Sequence, residues 1–297
     1  MTRALLLGFS LASAACSHAT TSAPAPEPAG PIYRFKIGAL DAVALADGAF
    51  HLPNDGKMVG VDHSPSEIGD LLAAAGLPRD RIDIDIHPLL VKDGAHVLLF
   101  DTGLGEHGKP TGGNLPQALA AAGVAPGDVT DIFISHMHGD HVGGLVTAAG
   151  ALAFPNAAIH MSAPEWAAMQ ADDDAKKIAT AIAPKVAPFE PDAQLLPEVT
   201  AVATPGHTPG HSSYEIASGG EKLFYLGDVA HHWVISLAHP SWTIGFDRDK
   251  PAAQAMRQQT LAKLAAAHER VFAVHFPFPG LGYVSARGDG FAWDASK

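Results

Sequence analysis

The chain has 297 residues, 47% hydrophobic and 17% charged, with a formal net charge of −12. That length accommodates one or two domains with a sizeable core, and the acidic balance repels phosphate backbones, so no nucleic-acid partner is expected. Cys16 is the single cysteine, which excludes an intramolecular disulfide framework and a thiolate-rich metal site, while 17 histidines and 31 carboxylates supply nitrogen and oxygen ligands.

In chain order, Arg3 precedes a short apolar run from Ala4 to Ala12 and then small residues. A basic residue followed by an apolar core too short to span a membrane reads as a secretory signal, assigned to residues 1–16. Two processing routes stay open. Ala12-Ser13-Ala14 suits an ordinary signal peptidase. Ala14-Ala15-Cys16 resembles a bacterial lipoprotein site, with Cys16 where a lipid would tether the protein to a membrane. Residues 17–31 are Ala/Pro-rich and read as a semi-extended tether. The expected location is therefore outside the cytoplasm, periplasmic or membrane-anchored, with a folded domain over 32–297.

Within that domain, residues 33–37 and 42–46 predict short strands, broken at Gly38 and at Asp47-Gly48. A helix is predicted over 66–75. Ile82, Ile84 and Ile86 alternate with polar residues as in a strand. Asp93-Gly94 separates two apolar runs, Leu89–Val91 and Val97–Phe100, as in a hairpin. A helix over 114–122 would end at Gly123. A buried strand over 131–135, a strand over 157–161 and helices over 163–170 and 173–183 follow. The run Asp172-Asp173-Asp174-Ala175-Lys176-Lys177 reads as the start of that last helix with a solvated face. Strands near 199–203, 212–217 and 222–227, a helix over 252–268 and a closing strand over 271–274 complete the pass. The pattern fits two sheets with helices outside, an α+β arrangement.

Four of these strands lead into imidazole or carboxylate. The first runs into His136-Met137-His138-Gly139-Asp140-His141, and the others lead to His207, Asp228 and His275. Such delivery from rigid strand ends is what a metal site needs. His136 and His138 in extended geometry point to the same side, so both can hold one ion. The turn at Gly139 offers Asp140 and His141 to a second. A bare H-x-H is weak evidence, but H-x-H-x-D-H with His207, Asp228 and His275 in order behind it is specific.

These motifs resemble the metallo-β-lactamase-fold hydrolase superfamily over nearly the whole chain after the tether. Asp101-Thr102-Gly103 resembles that superfamily's early structural motif. The resemblance implies a four-layer αββα sandwich with a two-metal site at the sheet edge. It implies that His136, His138 and His207 hold one ion, Asp140, His141 and His275 the other, and that Asp228 bridges them. All ligands are nitrogen or oxygen, so zinc is the default, with manganese, iron and cobalt compatible with the same donors. Two such ions lower the pKa of a shared water, whose hydroxide attacks carbon or phosphorus, and Asp140 orients the nucleophile or carries a proton. His211 is read as structural.

The bridging Asp228 argues against the β-lactamases, and the lone Cys16 against those with a cysteine ligand. The short tail after His275 argues against glyoxalase II, and no flavin-binding domain follows. His231 stands where the homoserine lactonases have tyrosine. With Phe246-Asp247-x-Asp249 and His275-Phe276-Pro277-Phe278-Pro279-Gly280, it resembles the methyl parathion hydrolase branch. The expected activity is hydrolysis of a small neutral ester, foremost a lactone or aryl ester, with organophosphate triesterase activity alongside. A β-lactamase and a non-catalytic metal-binding lipoprotein are the alternatives. His231 is a candidate catalytic residue. Trp166, Phe50, Phe276 and Phe278 are candidates for an apolar mouth. A homodimer is an expectation from the resemblance alone.

Overall fold

The computed structural model describes Met1 and residues 30–296, so the export signal, Cys16 and nearly all of the tether lie outside the described residues. The first half of the chain builds one seven-stranded sheet. Strands β1 (Ile32–Ile37) and β2 (Leu40–Leu45) form its edge hairpin. The chain then leaves the sheet as a separate ribbon of β3 (Gly48–Pro53) and β4 (Arg81–Ile86), with helix α1 (Pro65–Ala74) between them. It returns through β5 (Leu89–Asp93) and β6 (His96–Phe100). Helix α2 (Leu115–Ala122), strand β7 (Asp131–Phe133), the one-turn α3 (Gly139–Val142), β8 (Ala158–Ser162), α4 (Ala163–Ala171), α5 (Lys176–Ile182) and β9 (Val186–Phe189) follow. The sheet order is β1-β2-β5-β6-β7-β8-β9, with β6 to β9 parallel.

The second half builds another seven-stranded sheet in sequence order. Its strands are β10 (Gln194–Leu196), β11 (Val199–Ala203), β12 (Ser212–Ser218), β13 (Glu221–Tyr225), β14 (Arg270–Phe272), β15 (Leu281–Arg287) and β16 (Gly290–Ala295). Helices α6 (Ile235–Ala238) and α7 (Lys250–Ala267) lie in the crossover between the parallel pair β13 and β14.

The layers follow from strand alternation. Leu98 and Phe100 of β6 face the second sheet, where they meet Tyr214, Leu223, Tyr225 and Phe272; Leu99, between them, faces the opposite way and packs with Leu115 and Leu119 of α2. In β13, Leu223 and Tyr225 face the inter-sheet core, whereas Phe224 meets Leu261 and Leu264 of α7. Because successive side chains point to opposite faces, each sheet buries both, giving the four-layer αββα sandwich that the sequence predicts. A fourth apolar cluster joins α1 and the β3–β4 ribbon to Ile235 and Ile244. Among the described residues no helix is long and apolar enough to cross a membrane.

Local signals explain the helix ends. Ser64 caps α1 by a reciprocal box with Glu67, Pro65 opens it, and Gly123 closes α2 in the left-handed conformation. Three expectations need correction. The helix expected from residue 173 begins at Lys176, because Asp172 accepts from the Asp174 and Ala175 N–H groups and holds residues 172–175 in a turn. The strand leading into the histidine motif ends at Phe133, and the closing strand at Phe272, so His136 and His275 sit on loops three residues beyond strand ends. Strands β3, β9, β10, β15 and β16 have no counterpart among the predicted elements.

Candidate metal centre

The loops after β7, β11, β13 and β14 meet at one end of the sandwich. Each carries predicted ligands to the same point. His136 Nε2, His138 Nδ1 and His207 Nε2 lie 2.9 to 3.2 Å apart. Beside them, His141 Nε2 and His275 Nε2 each lie 3.5 Å from Asp140 Oδ2. Asp228 stands between the two sets. Its Oδ1 is 3.2 Å from His141 Nε2 and 3.1 Å from His275 Nε2. Its Oδ2 is 3.3 Å from His207 Nε2 and 3.7 Å from His136 Nε2. The structure thus gathers all seven residues, in two groups whose ligand atoms lie within 4.8 Å of one another.

The tautomers follow from what stands behind each ring. His141 Nδ1 donates to Asp101 Oδ2 at 2.7 Å, His207 Nδ1 to Asp247 Oδ1 at 2.9 Å and His275 Nδ1 to the Asp85 carbonyl at 2.7 Å. Carboxylates and carbonyls only accept, so these three Nδ1 atoms carry the proton. The Ser135 hydroxyl donates to Asp101 and is left to accept from His136 Nδ1 at 3.1 Å. Four Nε2 lone pairs therefore converge on the centre, joined by His138 Nδ1. Lone pairs held this close repel unless a cation lies between them, and His141 Nε2 and Asp228 Oδ1 are buried without any hydrogen-bond partner. The residues present fit divalent metal ions, and this pattern of ligands with oriented partners is that of metal-binding histidines.

The electrostatics differ between the two groups: at His141 and His275 burial is outweighed by Asp228 and Asp140, which raise both rings, so the carboxylates draw positive charge to that side of the centre. Burial holds His136 well below the ordinary histidine range and His207 at about 4, so both rings are neutral donors at neutral pH. Burial would raise the Asp228 carboxyl, but the surrounding imidazoles, His275 and His141 foremost, outweigh it and hold Asp228 ionised.

Other side chains frame the centre. His231 is buried, with Nε2 at 3.2 Å from Asp228 Oδ2 and no hydrogen bond at either ring nitrogen. His211 Nε2 accepts from the Asp228 N–H at 2.9 Å and so fixes the backbone of that residue from behind. Glu165 on α4 accepts from the Met137 N–H, the Thr208 hydroxyl and the Gly210 N–H, tying the H-x-H loop to the His207 loop. Nothing in the local sequence signals Glu165, because it looks like any polar residue in a short helix.

The four mouth candidates separate. Phe276 is fully buried, edge-on to Trp293 at 5.0 Å in the core beneath α7, and is no part of a mouth. The turn that brings the Phe276 N–H to the Ala273 carbonyl sends consecutive side chains to opposite sides, His275 to the centre and Phe276 to the core. Phe278 is half-buried, its N–H held by Asp85 Oδ2. Phe50 packs half-buried in the cluster around α1, and Trp166 against the helix layer of the first sheet. Phe246, outside that set, puts its ring 5.1 Å from the His231 ring.

The family model of the Metallo-beta-lactamase superfamily matches residues 85–275. A curated N-acyl homoserine lactonase from Bacillus sp is 27% identical over 155 residues, 46% of this chain and 60% of that protein, so the chain spans under two thirds of its length. The structure of AidC, a dizinc quorum-quenching lactonase in complex with a homoserine product, superposes with a TM-score of 0.85 at 33% identity, covering 90% of this chain and 97% of that one. A hydrolase of the beta lactamase superfamily, AbOPH, superposes with a TM-score of 0.83 at 25% identity, covering 91% and 99%.

Proposed function

The chain belongs to the metallo-beta-lactamase superfamily, and on that premise we propose that it is a dizinc hydrolase opening a neutral, fairly apolar lactone, with weaker activity on phosphotriesters. The observation that carries this reading is Asp228, with one carboxylate oxygen turned to each ligand group. His136, His138 and His207 would hold one ion, Asp140, His141 and His275 the other. Bound there, the ions would supply Lewis acidity and lower the pKa of a water.

The chain's own residues do the rest. Asp140, 16% exposed, is the most open of the carboxylates at the centre and is placed to orient that water and take its proton. His231 lies beside the Oδ2 atom of Asp228, with two uncommitted nitrogens able to hydrogen-bond the substrate oxygen or the leaving alkoxide. Phe246, its ring 5.1 Å from that of His231, offers an apolar surface for an acyl chain. The acidic balance of the chain favours a neutral substrate over an anionic one. The homoserine lactone chemistry of the relatives supports the same class.

The test is steady-state hydrolysis of a long-chain lactone, an aryl ester, a phosphotriester and a cephalosporin by zinc-loaded and chelated protein. The lactone should have the highest kcat/KM, and chelation should abolish turnover. A cephalosporin leading the panel would replace this reading with a β-lactamase. Two bound metals with no turnover of any of the four would replace it with a metal-binding protein.

A further inference from the structure

Arg257 on α7 is buried, 1% exposed, and spends every part of its guanidinium on one segment of chain. Nε donates to the Val229 carbonyl at 2.9 Å, Nη1 to the carbonyls of Pro240 and Trp242 at 3.0 and 3.1 Å, and Nη2 to Asp247 Oδ2 at 2.7 Å. Asp247, also buried, presents its other oxygen to His207 Nδ1. The guanidinium stays charged in a protein, so burying it requires a paired carboxylate. Here the paired carboxylate is the one that orients His207.

The contacted segment matters as much as the pair. Val229 follows Asp228 directly, and Phe246 precedes Asp247 and packs on His231. A single side chain therefore holds both ends of residues 229–247 and, through Asp247, one histidine of the centre. We infer that Arg257 and Asp247 form a positioning relay that fixes the tautomer and orientation of His207 while clamping His231 and Phe246 at a set distance from Asp228. The relay differs from the supports of the other rings. Asp101, the Asp85 carbonyl and the Ser135 hydroxyl orient one or two ligands each, but none is itself held by a buried cation that also anchors the neighbouring loop.

The inference rests on the reading of His207 as a metal ligand, and the experiment separates the two. In Asp247→Asn, the side-chain oxygen is drawn to Arg257 and the amide N–H₂ faces His207 Nδ1, which must then accept. The His207 proton moves to Nε2, where the lone pair is needed. The measurements are zinc uptake by chelator competition, the thermal midpoint of the chelated protein, and histidine ¹⁵N–¹H spectra of the chelated protein. Wild type should take up two zinc ions per chain and carry the His207 proton on Nδ1. Asp247→Asn should move that proton to Nε2 and bind one of its two ions ~10–100-fold more weakly, and its thermal midpoint should fall, because the buried Arg257 loses its paired carboxylate. Arg257→Lys, which keeps the charge but loses the fork, should weaken the same ion. Unchanged zinc affinity in Asp247→Asn overturns the relay. So does a wild-type spectrum with the His207 proton on Nε2, and that spectrum decides the matter even if neither variant folds. Wild type that takes up no zinc overturns the ligand reading instead, and the His207 spectrum still decides the relay.

Discussion

His231 is the residue at the centre whose chemistry is least committed. Every other imidazole there has one nitrogen tied to a protein oxygen or turned to a neighbouring ligand, whereas both nitrogens of His231 lack a hydrogen bond although the ring is buried. A buried polar group without a partner costs stability, so its retention points to a partner that arrives with substrate. His231→Ala should lower kcat by ~100-fold with a much smaller change in KM, because a group that meets developing charge acts in the transition state rather than in binding. Equal loss in kcat and gain in KM would make His231 a wall of the pocket instead. The seven residues that meet at the centre were legible in the sequence, since H-x-H-x-D-H is compact and His207, Asp228 and His275 each follow a recognisable strand. What stands behind them was not. The carbonyl that orients His275 belongs to Asp85, 190 residues earlier, and the carboxylate behind His207 lies 40 residues later. Only the folded sheets bring them together.

Among the elements, the contact between the His207 loop and the first turn of α7 sets the tightest tolerance. Gly206 has φ +134, and a Cβ there would meet the Ala253 backbone nitrogen at 2.5 Å and its Cα at 2.6 Å. The Gly206 and His207 carbonyls accept from the Asp249 and Arg248 N–H groups, so the loop is stitched to the helix start as well as pressed against it. Backbone cannot yield as a flexible side chain does. Gly206→Ala should therefore cost about 2 kcal/mol in unfolding free energy and weaken zinc binding together with it, as read by urea denaturation and metal analysis. Stability and metal content both unchanged would show that the loop can slide off α7. The same contrast of local and distant causes explains which elements were legible. The β5–β6 hairpin at Asp93-Gly94, the Ser64–Glu67 cap and Gly123 announce themselves within four residues. The short β9 and β10 carry Pro188 or half-exposed side chains, and β16 is half-exposed at the sheet edge, so these exist as strands because a neighbouring strand pairs with them.

At the scale of the whole molecule, two sheets buried on both faces leave little room for charge, and burial keeps His87 and His232 neutral. His87 lies at the end of the inter-sheet core, edge-on to Phe272 and Phe278, and burial lowers it to about 3. His232 is lowered by burial to about 4, and its Nδ1 accepts from the Val234 and Ile235 N–H groups, so protonation there would set donor against donor. In the unfolded chain both titrate near 6.5. Below that pH the unfolded state binds more protons than the folded one, so stability present above pH 6.5 is lost as pH falls, by about 1 kcal/mol per pH unit for each histidine, until the folded values are reached. The chelated protein should accordingly lose stability steeply between pH 6.5 and 4.5. His232→Asn removes one of these titrations while its side-chain oxygen can still accept from the same two N–H groups. Urea midpoints taken across that range should show the variant losing stability less steeply than wild type, by about 1 kcal/mol per pH unit. Parallel curves would mean that His232 takes up its proton in the folded protein, and that the turn at residues 232–235 opens in acid before the sandwich does.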